Sequence, residues 1–250
     1  MKKLIVLMML FSGITFGMAQ TESATDIVRK ADERARGTKT MKSEMTIQIV
    51  RTNWTRDMEM KSWTKGEDYS LILITAPARE AGSAFLKRDK EVWNWMPNIE
   101  RNIKLPPSMM GQSWMGTDFT NDDLVREASV VNDYTHKIIG SQIIAGRDTW
   151  KIEMTPKPKA AVVWGKVIVY IDKTDYIQLK SEMYDEDGEL VNTMLMSDLK
   201  EMDGRLIPTR TELIPADKPG QKTVMIMKSA EFDRPIEDEF FTVQNMKRVK

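Results

Sequence analysis

Apolar residues recur along this chain with two different periods. Over residues 25–36 they follow helical spacing, and the stripe consists of Ile27, Val28, Ala31 and Ala35. The spacing predicts a short helix that Thr25 or Asp26 caps and Gly37 ends.

After this helix the period becomes two, as in a strand with one buried face. Met45, Ile47 and Ile49 alternate with polar residues, and Met58 and Met60 do so on the next segment. Residues 68–77, which include Leu71 and Leu73, are apolar at both parities, as in a strand covered on both faces. Further strands are predicted at residues 82–88, 91–96, 99–105, 133–144, 150–155, 162–172, 177–184, 190–199, 207–214 and 222–232.

Turn signals rich in Gly, Asp and Pro separate these segments, which is typical of antiparallel meanders. We expect about eleven or twelve strands, and a sheet of that size curls. The predicted fold is mainly β with short helices (α+β). It is a single large curled antiparallel sheet forming an unclosed half-barrel, with helices or a loop covering its concave face. No linker divides residues 20–250, so we expect one domain.

The first nineteen residues have the pattern of a secretory signal peptide. Lys2 and Lys3 precede an apolar run from Leu4 to Phe11, and Gly17-Met18-Ala19 is a small-x-small cleavage site. Cleavage after Ala19 predicts export, and we expect a periplasmic location.

Residues 87–124 combine strand-like and loop-like segments with large apolar side chains. Trp93, Trp95 and Met96 are expected to form a fixed wall of a cavity. The loop from Met109 to Phe119 is expected to form a mobile cover, with glycines at positions 111 and 116 as hinges. Its apolar residues are Met109, Met110, Trp114, Met115 and Phe119.

Methionine is frequent, and sixteen of the twenty methionines lie after the predicted cleavage site. Methionine adapts to irregular apolar partners, whereas rigid cores favour Leu, Ile and Val. Ordinary core packing explains any single methionine, but the whole set indicates a deformable lipid-binding cavity. The candidate lining residues are Met45, Ile47, Met58, Met60, Leu71, Leu73, Trp93, Trp95, Met96, Met109, Met110, Trp114, Met115 and Phe119.

Few residues offer catalytic or metal-binding chemistry. The chain has no cysteine and one histidine, His136, for which we expect a half-exposed strand position. No nucleophile elbow, phosphate-binding loop or dinucleotide motif is present. We therefore expect no catalytic residue, no metal and no cofactor. The mature chain would carry 35 basic and 37 acidic residues, which argues against a nucleic-acid partner. A monomer is expected.

Two motifs carry a resemblance to a known family. W-N-W-M-P is followed by N-I-K and then by S-M-M-G-Q-S-W-M-G-T-D-F-T-N-D-D-L. This pattern resembles the outer-membrane lipoprotein-sorting (LolA-like) proteins, and within it the matching residues are Gly116, Thr117, Asp118, Phe119, Thr120 and Asp123. The resemblance covers essentially the mature chain and is closest to the longer branch of the superfamily. It implies an unclosed β-barrel with an acyl-chain cavity, and work beside an RND-type exporter of the inner membrane.

The expected function is a periplasmic, non-enzymatic carrier of lipid or acylated lipoprotein toward the outer membrane. One alternative is a periplasmic sensor that binds a membrane-protein partner. A second is a hydrolase that uses the carboxylates of Asp118, Asp122 and Asp123.

Overall fold

The computed structural model describes residues 22–36, 39–125 and 129–250. The predicted signal peptide and Gly37 lie outside the described residues. The α-helices are α1 (Ala24–Arg36), α2 (Asn121–Val125) and α3 (Val243–Met246). Short 3-10 turns occur at Pro97–Ile99, Pro107–Met109 and Asp238–Phe240. Among the described helices, none has the length and apolar character needed to span a bilayer.

Thirteen strands form in the part of the chain that the structure describes. They are β1 (Thr40–Arg51), β2 (Trp54–Lys65), β3 (Tyr69–Ala76), β4 (Ala84–Arg88), β5 (Glu91–Met96), β6 (Arg101–Leu105), β7 (Tyr134–Ile144), β8 (Arg147–Pro156), β9 (Lys166–Asp172), β10 (Gln178–Tyr184), β11 (Leu190–Met202), β12 (Arg205–Pro215) and β13 (Lys222–Phe232). Every segment that the alternating pattern predicted overlaps one of them. Thirteen strands are slightly more than the eleven or twelve expected.

The strands form one antiparallel sheet in the order β6-β5-β4-β3-β2-β1-β13-β12-β11-β10-β9-β8-β7. It consists of two meanders that the pairing of β1 with β13 joins at the centre. β6 and β7 are the two edges and do not pair with each other, so the sheet is not closed into a barrel. The predicted fold class is confirmed.

This topology dictates where the chain between β6 and β7 runs. The segment of residues 106–133 must pass from one edge of the sheet to the other, and it packs on one face through α2, which contacts β3 and β4. Helix α1 packs on the same face against β7, β9 and β12. We call the covered side the inner face and the opposite side the outer face.

Helix α1 forms where the apolar stripe predicted it, but a different residue caps it. Ser23 caps α1, since its hydroxyl oxygen accepts from the backbone N–H of Asp26 at 3.1 Å. Thr120 caps α2 by accepting from the N–H of Asp123, whose carboxylate accepts from the N–H of Thr120 in return. The predicted cap of α1 at Thr25 or Asp26 was therefore wrong by two or three positions.

The sheet is packed on both faces, because neighbouring residues of a strand point to opposite sides. On β3, Ile72 and Ile74 belong to an inner cluster, whereas Leu71 and Leu73 belong to an outer one. The C-terminal segment, residues 233–250, covers that part of the outer face with Phe241 and Met246.

Candidate functional site

A methionine-rich cluster occupies the inner face of β1 to β4. Its side chains are buried, and Met115, Leu124, Met225 and Met227 pack partly buried against it. We call this group the methionine cluster; it consists of Met45, Ile47, Ile49, Met58, Met60, Ile72, Ile74, Phe85 and Trp114. Alternation grouped the members on β1 and β2 correctly, because a residue two positions along a strand returns to the same face. On β3 the prediction named Leu71 and Leu73 in place of Ile72 and Ile74.

A second cluster lies under α1 on the other half of the inner face. Ile27, Val28 and Ala31 form the apolar stripe of the helix and pack on strand residues such as Ile152 and Val169. Phe119 also belongs to this cluster, and Leu124 and Met225 contact both clusters. The apolar interior is therefore continuous beneath α1 and the segment of residues 106–125.

Trp114 brings this segment into the methionine cluster. Its indole ring is fully buried and tilted against Phe85, with 5.3 Å between the ring centroids. The indole N–H has no hydrogen-bond partner among the described residues. A buried donor without a partner is uncommon and calls for an explanation.

An ion pair fixes the turn after Trp114 to the sheet. The guanidinium of Arg51 donates to both carboxylate oxygens of Asp118 at 3.0 Å, and the Thr223 hydroxyl donates to the same carboxylate at 2.7 Å. The Asp118 N–H donates to that hydroxyl in return at 3.0 Å. Only 4% of the Asp118 side chain is exposed, against 15% for Arg51. Asp118 therefore holds the turn in place.

A second arginine supports the same turn. Arg56 donates to the backbone carbonyl of Met115 and to the Glu80 carboxylate, the latter at 3.2 Å. Met115 and Gly116 both have positive φ, at 49° and 78°, so the chain turns sharply here. Gly116 suits this position because glycine adopts positive φ without a steric penalty.

An open cleft of about 600 Å³ lies beside the turn. Residues 111–120 form one side, and the turns after β10 and β12 form the other. Its lining includes Arg51, Asp118, Trp164, Leu190, Pro215 and Lys218. Apolar and charged groups therefore both line this cleft, beside the turn that Asp118 holds to the sheet.

The predicted lining residues divide between the two faces. Met45, Ile47, Met58, Met60, Trp114, Met115 and Phe119 face the inner clusters, and Met109 and Met110 pack near Val92 and Leu105. Met96 ends β5 at the parity of Val92, which places it on the inner side.

Four of the predicted residues lie on the outer face instead. Leu71 and Leu73 are buried there, and Trp93 and Trp95 pack partly buried against them. The assignment of Trp93 and Trp95 to the same wall as the methionines was wrong. The physical reason is that β3 to β5 are covered on both faces, so apolar character alone does not reveal which face adjoins a cavity.

The histidine of the chain, His136, has structural contacts near the inner face. His136 is half-buried, its Nε2–H donates to the Val130 carbonyl at 2.8 Å, and its Nδ1 accepts from the Thr25 hydroxyl at 3.1 Å. Burial lowers the pKa of His136, and the positive charges of Lys157 and Arg29 lower it further. No group of three or more His, Asp or Glu side chains suited to a metal ion occurs among the described residues.

Comparison with known proteins identifies relatives over nearly the whole chain. A family model described as "Uncharacterized protein" matches residues 66–248, more than half of the sequence. The chain therefore belongs to the family that this model describes. Together with the solved structures that follow, this match supports the family resemblance read from the two motifs. A comparison with curated proteins finds no match.

Solved structures of LolA-like proteins share the fold. A LolA superfamily protein from Nitrosomonas europaea is 24% identical, with a TM-score of 0.78, covering 89% of this chain and 99% of that one. A putative outer membrane lipoprotein-sorting protein domain from Vibrio parahaemolyticus is 20% identical, with a TM-score of 0.80 and coverages of 90% and 98%. A DUF1329 family protein from Desulfovibrio piger is 22% identical, with a TM-score of 0.80 and coverages of 89% and 97%.

The contacts that hold the turn were missed by sequence reasoning. Arg51, Arg56 and Thr223 carried no signal, because each lies in a strand far along the chain from the turn that it contacts. Arg51 stands 67 positions before Asp118, and Thr223 stands 105 positions after it. Spacing within one sequence carries no information on such pairs.

Proposed function

We propose that this protein is a periplasmic carrier that binds lipid, or the acyl chains of lipoproteins, on the inner face of its sheet and moves them toward the outer membrane. The observation that carries the proposal is the methionine cluster beneath a segment that polar contacts hold in place. A membrane partner such as an RND-type transporter belongs to the same proposal and rests on the family resemblance.

The flexible side chains of its methionines suit the methionine cluster to this role. A flexible thioether chain changes rotamer at low cost and makes favourable contacts with many apolar shapes. An acyl chain that enters the cluster gains roughly 0.8 kcal/mol for each buried CH₂ group. Part of this gain is offset, because Trp114 and the methionines already fill the space and must be displaced.

The loop from Met109 to Phe119 is the cover that we expect to move. Its contacts with the sheet combine apolar packing at Trp114 with the polar contacts of Asp118 and Met115. The cleft beside it is the proposed entrance, since it adjoins the turn and has both apolar and charged walls. The unpaired indole N–H of Trp114 supports a ligand with a carbonyl group, such as an acyl ester, near the buried end of the cover.

Lipid carriage is tested on the purified protein. Organic-solvent extraction followed by mass spectrometry is expected to find co-purified lipid, and added lipid is expected to shift tryptophan emission to the blue. Repeated absence of lipid together with unchanged emission would contradict the proposal. Crosslinking in cells that finds a single membrane protein and no lipid would support a sensor instead.

Movement of the cover is tested with the double variant Asp118→Cys, Thr223→Cys. The chain has no cysteine, and the two side chains are in direct contact, so these thiols form the one available disulfide. Oxidation is expected to block uptake of a fluorescent fatty acid, and reduction of the same sample to restore it. This comparison controls for loss of the Arg51 ion pair, which is absent in both states. Equal uptake in both states would show that the cover need not move.

A further inference from the structure

The two edges of the sheet are built differently. β6 has five residues, two of which, Arg101 and Lys104, are charged, and Pro106-Pro107 follows it directly. Short length, positive charge and proline are the devices by which proteins protect an edge strand from pairing. β6 is therefore a protected edge.

β7 has a longer and more open edge. It has eleven residues, and β8 is its strand neighbour in the sheet. Three isoleucines are exposed, with 41% of Ile138, 40% of Ile139 and 72% of Ile143 accessible. A long, apolar edge with free backbone groups is a template for another strand.

The part of β7 available to a partner is its second half. In the first half, α1 packs on the strand and Thr25 contacts His136. A bulge then interrupts the pairing with β8 between Ile138 and Gly140. The regular stretch that remains, Gly140–Ile144, contains no charged residue.

We propose that this stretch pairs antiparallel with the same stretch of a second copy of the chain, joining two sheets across a two-fold axis. Centring the pair on Gln142 places Ile143 opposite Ser141 and Ile144 opposite Gly140 of the other copy. Large side chains then meet small ones, and an ideal Cβ on Gly140 would meet no atom within 4 Å. Opposite and diagonal residues of an antiparallel pair share a face, so Ile143 packs beside Ser141 and diagonally against Ile143 of the other copy.

A second copy fits this edge better through β7 than through β6. Pairing of β7 of one copy with β6 of another would bring Lys137 toward the positive charges of Arg101 and Lys104. Such pairing would also add copy after copy in an open chain and would not close as a dimer. Pairing of β7 with itself uses the same uncharged stretch twice and closes as a dimer. The proposal is independent of the carrier function and differs from the monomer expected from the sequence.

The interface is small, so the dimer is expected to be weak. Sedimentation velocity over a hundredfold concentration range that reaches roughly 1 mM covers the affinities expected for such contacts. The wild-type protein is expected to move from monomer toward dimer over this range. Ile143→Lys is expected to weaken the dimer by about tenfold or more by placing positive charge in the interface.

Ile99→Lys is the matched control, because Ile99 is a 55% exposed isoleucine in the turn between β5 and β6. It is expected to leave the association unchanged. A wild-type protein that stays monomeric throughout, or a dimer that Ile143→Lys does not weaken, would overturn the proposal.

A single cysteine tests the register. Gln142→Cys supplies the only thiol of the chain, and a pair centred there brings two such thiols within disulfide distance. Oxidation is expected to give a covalent dimer with Gln142→Cys and little with Ile99→Cys. Equal crosslinking of the two variants would contradict β7 pairing.

Discussion

At the residue scale, polar contacts hold one turn of the inner-face cover to the sheet. The motif around Asp118 was recognisable in the sequence. The structure adds the partners, Arg51 and Thr223, which local spacing does not reveal. The Asp123 carboxylate likewise accepts from the Thr120 N–H at the start of α2, so the carboxylates of Asp118 and Asp123, both considered for a hydrolase, have structural contacts.

Asp118→Asn is expected to destabilise the fold by about 3 kcal/mol. The substitution leaves the largely buried guanidinium of Arg51 without a carboxylate, and breaking a buried pair on one side carries a cost of this order. Urea unfolding measures the difference.

Asp238→Asn is the control for this prediction, because its pair with Lys65 is 50% and 35% exposed. An exposed pair contributes less than about 1 kcal/mol. Equal losses for the two variants would show that Asp118 does not anchor the turn.

The lowered pKa of His136 predicts that the stability of the fold depends on pH. Its pKa in the folded protein lies below the ordinary 6.5, so the unfolded chain binds the proton more readily. Its stabilising contribution is therefore fully present above about pH 6.5 and is lost as the pH falls through the folded pKa.

The measurement compares wild type with His136→Gln by urea unfolding between pH 8 and pH 5. Wild type is expected to lose stability relative to the variant below about pH 6.5, while carboxylates common to both proteins cancel. Parallel curves for the two proteins would contradict the assignment.

At the element scale, alternation located the strands well but did not identify their faces. Each predicted strand segment overlaps a strand, because a period of two follows directly from the pleat. Trp93 and Trp95 were assigned to the wrong face, since their cover comes from residues 233–250, far along the chain. No role was predicted for this C-terminal segment.

Phe241→Ala is expected to cost about 3–5 kcal/mol, because the ring is fully buried against Leu71, Leu73 and neighbouring side chains. Guanidinium unfolding measures the loss. Gln244→Ala, at an exposed position of α3, is the control and should change stability by less than about 0.5 kcal/mol. A small effect of Phe241→Ala would mean that the C-terminal segment is dispensable for the outer face.

At the scale of the whole molecule, the order of strands explains why the cover exists. β6 and β7 end at opposite edges of one sheet, so the chain between them has to cross a face, and its apolar residues are buried on that face. Turn signals and alternation were enough to predict a curled, unclosed sheet. The central pairing of β1 with β13 was not predictable from them, because it joins strands from opposite ends of the chain.

We expect the methionine cluster to determine the range of acyl-chain shapes that the protein binds. The triple variant Met45→Leu, Met58→Leu, Met60→Leu nearly conserves volume, and each change is expected to cost less than about 1.5 kcal/mol. Leucine has fewer rotatable bonds than methionine, so the variant should adapt less well to kinked or branched chains. Displacement of a fluorescent fatty acid by straight, cis-unsaturated and branched chains is therefore expected to show a narrower range for the variant than for wild type. Met246→Leu, on the outer face, should leave that range unchanged. If the triple variant keeps the wild-type order and spread of affinities, the methionines serve only as core, and the deformable site lies elsewhere on the inner face.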